Sequence, residues 1–216
     1  MTFDLFDNET TEPAREVIAE GAVVLRGFAA EAAPVLLAAI DEVASRSPFR
    51  HMETPGGHAM SAAMTCCGEM GWITDRRGYR YEARDPVTGQ PWPAMPERFL
   101  ALAKEAALEA GFEDFVPDAC LINRYRPGAK MGLHQDRDEQ DFSQPIVSVS
   151  LGLPIVFQFG GPRRSDRPLR VPLGHGDVVV WGGPVRRNYH GVLTLKAGDH
   201  PLTGNCRYNL TFRKAG

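Results

Sequence analysis

The sequence places two common metal-ligand side chains two positions apart, at His134 and Asp136. On an extended backbone the side chains at i and i+2 lie on the same face, so this imidazole and this carboxylate can reach one metal ion. A third candidate ligand, His190, lies far enough along the chain for several strands to fold back toward the pair. We therefore predict a catalytic metal site formed by His134, Asp136 and His190.

A second histidine and aspartate occur at the same spacing, in His175-Gly176-Asp177. These residues lead directly into the apolar run 178–181, which is typical of a tight turn that enters a buried strand. An aspartate in such a turn bonds the neighbouring backbone, so its presence needs no metal. The first pair instead lies in a polar stretch at the mouth of a predicted strand, and we favour it as the ligand pair.

Two histidines and one carboxylate on one face of an octahedral ion leave three positions open, as in non-haem Fe(II) oxygenases. Zinc hydrolases use similar ligands, so the three residues alone do not choose between the two metals.

The C-terminal segment 207–213 alternates in polarity as a strand does. Its polar side chains lie on one face and its apolar ones on the other, namely Arg207, Asn209, Thr211 and Arg213 against Tyr208, Leu210 and Phe212. Two arginines on the interior face of a barrel would be costly without anions to pair with. A solvent-facing edge strand with ordinary surface arginines is the alternative.

A small dicarboxylate would supply the anions, because a guanidinium group binds each carboxylate through two hydrogen bonds. 2-Oxoglutarate is such a ligand, and its keto-acid end fills two open positions of the iron. The segment 207–213 therefore favours an iron oxygenase that uses 2-oxoglutarate.

The elements that would position these residues begin at about residue 118, where the hydrophobic period changes to two. Short strands are predicted at 146–153, 156–159, 178–181, 191–195 and 207–212, separated by turn residues. In the first of them Val147, Val149, Leu151 and Leu153 share one face, opposite Ser148, Ser150 and Gly152. Strands at this spacing predict an antiparallel sandwich or barrel, with a jelly roll as a main candidate.

The preceding residues predict a strand at 21–26, a helix over 35–44 and a second helix from Pro96 to Gly111. Between the helices, residues 48–96 contain six Pro and six Gly. A long segment of turn residues in a compact domain is either disordered or functional. Its aromatic residues argue against disorder, so we predict an ordered, irregular lid.

A chain of 216 residues with 43% hydrophobic residues can bury one core, so we predict a single domain. The net charge of −3 argues weakly against nucleic-acid binding, although arginine clusters at 76–80, 163–170 and 186–187 can still follow a phosphate backbone. The four cysteines contain no Cys-x-x-Cys pair, which predicts reduced thiols and a cytoplasmic enzyme. The acidic N-terminus does not look like a signal peptide, and no apolar stretch approaches the ~18 residues of a membrane span.

Several longer runs accompany these motifs in order along the chain. They are Ser47-Pro48-Phe49-Arg50, Thr54-Pro55-Gly56-Gly57, Pro91-Trp92-Pro93-Ala94-Met95-Pro96, residues 117–125 ending in Asn123-Arg124-Tyr125, and the Arg-x-Asn-x-Thr-x-Arg strand at 207–213. With the His134-Gln135-Asp136 motif and His190, the chain resembles the AlkB family of nucleic-acid demethylases along nearly its whole length. The match looks close to the bacterial founding member of that family.

The resemblance implies a mainly β fold with flanking helices, a double-stranded β-helix (jelly roll) carrying an N-terminal nucleotide-recognition lid. In this interpretation residues 1–216 form a single domain, with supporting strand and helices at 12–47 and 96–111. The lid is residues 48–95 and the catalytic core is residues 117–213.

The resemblance also implies roles for individual residues. His134, Asp136 and His190 would ligate Fe(II); Arg207 with Tyr125 and Asn209 would hold the distal carboxylate of 2-oxoglutarate, and Arg213 with Asn123 its keto-acid end. Trp72 and His134 would enclose the flipped base, Tyr79 and Thr54 would touch the nucleotide backbone, Asp138 the exocyclic nitrogen of the base, and Arg164 the rim. One departure from the founding member lies in the lid, where position 58 is His in place of Tyr.

The implied activity is oxidative demethylation of N-alkylated bases of the 1-methyladenine and 3-methylcytosine type, with Fe(II), 2-oxoglutarate and O2. The products are formaldehyde, succinate and CO2. The implied substrate is alkylated single-stranded DNA, with double-stranded DNA and RNA left open, and the protein is expected to be a monomer without a membrane partner. Two alternatives remain at this point: a 2-oxoglutarate hydroxylase of a small molecule or protein side chain, and a cupin-like binding module.

Overall fold

The computed structural model describes residues 14–216. The acidic N-terminal residues, and the first two residues of the supporting segment 12–47, lie outside this part of the chain. The strands are β1 (Arg15–Ala19), β2 (Ala22–Leu25), β3 (Ala63–Gly68), β4 (Gly71–Asp75), β5 (Gly78–Glu82), β6 (Ala119–Tyr125), β7 (Met131–His134), β8 (Ile146–Gly152), β9 (Ile155–Phe159), β10 (Leu169–Leu173), β11 (Val178–Trp181), β12 (His190–Val192) and β13 (Arg207–Arg213). The helices are α1 (Ala33–Arg46), α2 (Glu97–Glu109) and a 3₁₀ turn at Gly183–Val185.

Seven strands form the larger sheet, in the order β1-β2-β11-β8-β13-β6-β3, and every neighbouring pair is antiparallel. β13 lies between β8 and β6, so its whole length is paired on both sides. Leu210 and Phe212 point into the core beneath the helices, as the alternation predicts. Arg207 and Arg213 are also buried, at 1% and 5% exposure, which rules out the alternative of an exposed edge strand.

Four strands form the smaller sheet, in the order β10-β9-β12-β7. A second core fills the space between the two sheets, with Val179 and Trp181 from the larger sheet and Phe157 and Val171 from the smaller one. Two antiparallel sheets packed face to face around such a core are typical of a jelly roll. The predicted fold class, mainly β with flanking helices, is confirmed.

Both helices cover the outer face of the larger sheet. α1 buries Leu36, Ile40 and Val43, which recur at helical spacing, and α2 buries Phe99 and Ala103 in the same way. Pro96 caps the start of α2, where its missing N–H costs no helical hydrogen bond. Within residues 14–216 neither helix is long and apolar enough to cross a bilayer.

The segment 48–95 is ordered, but it contains three strands where the sequence suggests irregular structure. β3 is the edge strand of the larger sheet, paired with β6. β4 and β5 form a separate hairpin in which Trp72 lies opposite Tyr81. Buried Asp85 fixes the base of the segment through an ion pair with Arg50 at 2.9 Å and a hydrogen bond from Ser47 at 2.7 Å. Proline and glycine mark the turns in this segment. The short strands between the turns are not apparent from the sequence, and the pairing partner of β3 is distant along the chain.

Several details of the strands differ from the prediction, including β10, which was not predicted, and β12, which ends at Val192 and not at residue 195. β1 is not apparent in the sequence, because it is a short and largely exposed edge strand. Leu153 packs in the core between the sheets and not with Val147 and Val149 beneath the helices. The reason is Gly152, whose φ of +94° turns the chain at the end of β8 and shifts the alternation by one residue.

Gly152→Ala tests this turn. The new Cβ would lie 2.3 Å from Thr203 Oγ1 and 2.5 Å from the Cys206 carbonyl oxygen, in a backbone conformation that favours glycine. We expect the free energy of unfolding to fall by about 1–3 kcal/mol or more, measured by urea denaturation. Gly174→Ala is the matched control, since its Cβ would meet only Asp177, at 3.9 Å. Equal stability of the two variants would contradict this account of the turn.

Candidate active site

The three predicted metal ligands come together at one end of the smaller sheet. β7 and β12 pair in a register that places His134 directly opposite His190, and Asp136 follows two residues after the end of β7. His134 Nε2 lies 3.7 Å from Asp136 Oδ1, and His190 Nε2 lies 3.8 Å from Asp136 Oδ2. All three candidate ligand atoms lie within 4.8 Å of one another. This arrangement can hold one metal ion.

Backbone carbonyl groups orient both imidazole rings. His134 Nδ1 lies 2.9 Å from the Gly132 oxygen, and His190 Nδ1 lies 3.1 Å from the Asn188 oxygen. A carbonyl oxygen only accepts, so each Nδ1 carries the proton and each Nε2 lone pair faces the cluster. Burial, with the neighbouring His134, lowers the pKa of His190 to about 3, and a neutral ring is the form that binds metal.

The carboxylate of Asp136 is held by Arg213, which crosses from the end of β13. Arg213 Nε and Nη2 both donate to Asp136 Oδ2, at 2.8 Å and 2.7 Å. Burial acts to raise the pKa of Asp136, but the charges of Arg213 and of the neighbouring histidines outweigh it and hold that pKa well below its usual range. Asp136 is therefore ionised, as a metal ligand must be.

A small cavity lies next to this cluster, between the sheets. It is lined by all five residues predicted to bind 2-oxoglutarate, namely Asn123, Tyr125, Arg207, Asn209 and Arg213, together with apolar side chains such as Leu173 and Trp181. The antiparallel register explains the grouping, because Arg207 lies opposite Tyr125 and Asn209 opposite Asn123.

The guanidinium group of Arg207 has unused donors inside this cavity. Its Nη2 donates to Ser150 Oγ at 2.8 Å, and its Cζ lies 5.1 Å from the centre of the Tyr125 ring. Its Nε and Nη1 are buried and have no partner among the described residues, and the same holds for the Asn123 side-chain oxygen. Because unpaired buried donors are costly, Arg207 is suited to a carboxylate ligand. The residues present therefore fit 2-oxoglutarate.

A second, larger cavity lies on the other side of the cluster. Its lining includes all five residues predicted to contact the nucleotide, namely Thr54, Trp72, Tyr79, Asp138 and Arg164. The Trp72 ring stacks on Tyr79 with centroids 5.7 Å apart, and its Nε1 donates to Asp138 Oδ2 at 2.9 Å. His134 and Arg213 line both cavities, so the metal cluster lies where the two meet.

Among the residues that the structure describes, the competing pair does not form a metal cluster with a third ligand. His175 Nδ1 accepts a hydrogen bond from the Gly152 N–H at 3.0 Å, and its ring stacks on His200 at 4.4 Å. Asp177 accepts from the Gly27 and Gly174 N–H groups, both at 2.9 Å. These contacts are those of a turn, as the sequence suggests.

Two buried charged residues next to the metal ligands were missed by the sequence analysis. Glu139 lies in the acidic run after Asp136, and Arg186 lies in the 186–187 cluster that was expected to be able to follow a phosphate backbone, yet they are 6% and 2% exposed. Arg186 Nη2 lies 3.4 Å from Glu139 Oε2, and Arg213 Nε lies 3.4 Å from Glu139 Oε1. The proximity of these charges in sequence to two metal ligands was the available signal.

Comparison with known proteins decides the family. The model of the 2OG-Fe(II) oxygenase superfamily matches residues 21–213. Alpha-ketoglutarate-dependent dioxygenase AlkB of Escherichia coli (strain K12) is 62% identical over 213 residues, covering 99% of this chain and 98% of that protein. The chain belongs to the AlkB family.

More distant AlkB relatives share the fold. The structure of OsALKBH1 superposes with a TM-score of 0.78 at 28% identity and covers 93% of this chain and 100% of that one. The human nucleic acid dioxygenase ALKBH1 is 31% identical over 121 residues, covering 56% of this chain and 31% of that protein. Membership of the AlkB family makes the chain a dioxygenase that uses Fe(II), 2-oxoglutarate and O2, which excludes a cupin-like binding module.

Removal of single ligands tests the metal cluster. We expect His134→Ala, Asp136→Ala and His190→Ala each to lose bound iron, because each change opens the three-ligand face. His175→Ala should retain iron, since its contacts are those of a turn. Metal content after reconstitution with Fe(II) measures both. Iron retained by His134→Ala and lost by His175→Ala would overturn the assignment.

Replacement of Arg207 tests the inner cavity. Loss of a buried charge pair costs about 2–5 kcal/mol, so Arg207→Ala should bind 2-oxoglutarate far more weakly, as measured by calorimetry on the metal-loaded protein. Arg46→Ala, at the exposed end of α1, is the control with the same change of charge. Unchanged affinity in Arg207→Ala would place the dicarboxylate elsewhere.

Proposed function

We propose that this AlkB-family chain repairs N-alkylated bases of the 1-methyladenine and 3-methylcytosine type in DNA by oxidative demethylation. The observation that carries the proposal is the meeting of two different cavities at one metal cluster. The inner cavity is small and has buried arginines, as a dicarboxylate requires. The outer cavity is larger and has an aromatic platform, as a flipped base requires.

In this proposal His134, Asp136 and His190 ligate Fe(II), while Arg207 with Tyr125 and Asn209 binds the distal carboxylate of 2-oxoglutarate. Arg213 with Asn123 orients the keto-acid end. The bound iron, 2-oxoglutarate and O2 supply the oxidation of the N-methyl carbon, with succinate and CO2 as the other products. The resulting hydroxymethyl group leaves as formaldehyde. The chain itself provides ligation, orientation and exclusion of water.

The lining of the outer cavity supports the proposed nucleotide contacts. We assign residues 48–95 as the nucleotide-recognition lid on the catalytic core of residues 117–213. Trp72 and His134 enclose the base, and Asp138 faces its exocyclic nitrogen, where a carboxylate complements a cationic alkylated base. Tyr79 and Thr54 follow the backbone, and exposed Arg164 lies at the rim. His58 is exposed and its N–H donates to Thr54 Oγ1 at 3.2 Å, so its ring leaves this turn intact.

Single-stranded DNA is the substrate that this arrangement favours. A base must leave its stack to reach a metal at the junction of the cavities, and an unpaired base does so at lower cost. We further propose a cytoplasmic monomer. All four cysteines are free and buried, which fits a reducing compartment.

The direct test is incubation of the protein with a methylated single-stranded oligonucleotide, Fe(II) and 2-oxoglutarate, followed by mass spectrometry. We expect the oligonucleotide to lose one methyl group and formaldehyde to appear, with Asp136→Ala as the inactive control. Succinate formation without loss of methyl from single-stranded DNA, double-stranded DNA or RNA would instead support a hydroxylase of a small molecule or protein side chain.

Replacement of Trp72 tests the aromatic platform. Trp72 is half-buried and lines the outer cavity, so Trp72→Ala should keep iron and 2-oxoglutarate binding and the melting temperature. Repair of the methylated oligonucleotide should weaken by about 1–3 kcal/mol, the contribution of one stacked base.

Trp92→Ala is the contrasting variant. Trp92 is 4% exposed and donates to the Glu82 carbonyl oxygen at 2.8 Å, so its loss should destabilise the fold by about 3–5 kcal/mol. A large drop in the stability of Trp72→Ala, with unaltered repair per folded molecule, would remove Trp72 from the substrate site.

A further inference from the structure

Asp136 belongs to a group of four buried charges, two of which, Glu139 and Arg186, have been given no role in the site so far. Asp136 and Glu139 supply two carboxylates, and Arg186 and Arg213 supply two guanidinium groups. The formal charges cancel, which is the condition under which such a group is tolerated in a protein interior. Arg213 contacts both carboxylates and therefore links Glu139 to the metal ligand.

The lid hairpin reaches this group through one hydroxyl. Tyr81 on β5 donates to Glu139 Oε1 at 2.8 Å. On β4 the residue opposite Tyr81 is Trp72, whose indole donates to Asp138. The two ring systems of one cross-strand pair therefore bond two adjacent acidic residues, one in the outer cavity and the other in the buried charge group.

Arg186 lies beside the other oxygen of Glu139, with its Nη2 3.4 Å from Oε2. Its Nε donates to the Gln144 carbonyl oxygen at 2.8 Å and its Nη1 to the Asp136 carbonyl oxygen at 3.3 Å. Arg186 is thus fixed to the backbone of the loop between β7 and β8. Glu139 Oε1 accepts the hydrogen bond from Tyr81 and also pairs with Arg213. A movement of Tyr81 would therefore be transmitted to Arg213.

We propose that Tyr81 and Glu139 are positioning residues that couple occupation of the nucleotide hairpin to the binding of 2-oxoglutarate. The inference rests on the proposed function. A base stacked on Trp72 fixes the hairpin, and with it the Tyr81 hydroxyl. The hydroxyl fixes Glu139, and Glu139 sets the direction of the Arg213 donors toward Asp136 and the keto-acid end of 2-oxoglutarate.

The test is a comparison of binding equilibria and needs no turnover. The affinity for 2-oxoglutarate is measured by calorimetry on Mn(II)-loaded protein without oxygen, alone and with a saturating methylated single-stranded oligonucleotide. Coupling free energies between sites commonly correspond to about 5–150-fold in affinity, and we expect at least about a 5-fold gain in the unmodified protein. In Tyr81→Phe the gain should fall to about one.

Tyr208→Phe is the matched control. Tyr208 lies on β13 between two residues of the inner cavity, but its ring faces the opposite side and packs on Phe49 with centroids 6.0 Å apart. It loses the same hydroxyl without any link to Glu139, so it should keep the full gain. Glu139→Gln, which removes the charge and keeps the shape, should lose the gain as Tyr81→Phe does.

The proposal is overturned if Tyr81→Phe keeps the gain, if Tyr208→Phe loses it as well, or if the unmodified protein shows none. Melting curves of both tyrosine variants should coincide, which separates coupling from a general loss of stability. Failure of the proposed function would be recognised by a different result, because the unmodified protein would then release no formaldehyde from the oligonucleotide. Release of formaldehyde together with an unchanged gain in Tyr81→Phe would reject the coupling alone.

Discussion

The ion pair between Asp136 and Arg213 is the contact on which the rest of the site depends. Both side chains are almost fully buried, and removing one partner of such a pair costs roughly 3–5 kcal/mol because the other charge is left uncompensated. The pair joins the end of β13 to the loop after β7, and thereby joins the two sheets. It also brings the metal ligand to the arginine proposed to bind the cosubstrate, so one interaction serves packing and chemistry together.

The interior of the jelly roll contains two buried arginines that differ in how their charge is compensated. Arg207 and Arg213 lie on the same face of β13, yet within residues 14–216 only Arg213 has a carboxylate within reach. Two donors of Arg207 have no partner in this part of the chain, and burial lowers its pKa. The inner cavity therefore contains a positive charge that the protein itself leaves uncompensated. A ligand of this cavity must be an anion long enough to reach Arg207 from the metal ligands.

Much of this arrangement could be predicted from the sequence, because it depends on local periodicity. The alternation of 207–213 is a property of one strand, and so is the common face of His134 and Asp136. The burial of Glu139 and Arg186 could not be predicted, since a charged residue is buried only where tertiary pairing compensates it. β3 could not be predicted either, because its pairing partner β6 follows only after α2 in the sequence. The prediction failed at Leu153 because it assumed an unbroken alternation through Gly152.

The contacts of Trp72 affect the conformational entropy that its side chain loses when a base binds. Its indole is held by Tyr79 on one side and by Asp138 at its N–H before any base is present. Immobilising a free side chain on binding costs about 0.5–1.5 kcal/mol. Here the indole has already lost that freedom when the chain folds, so the stacking energy is not spent on ordering the Trp72 side chain and is available to fix the hairpin as a whole.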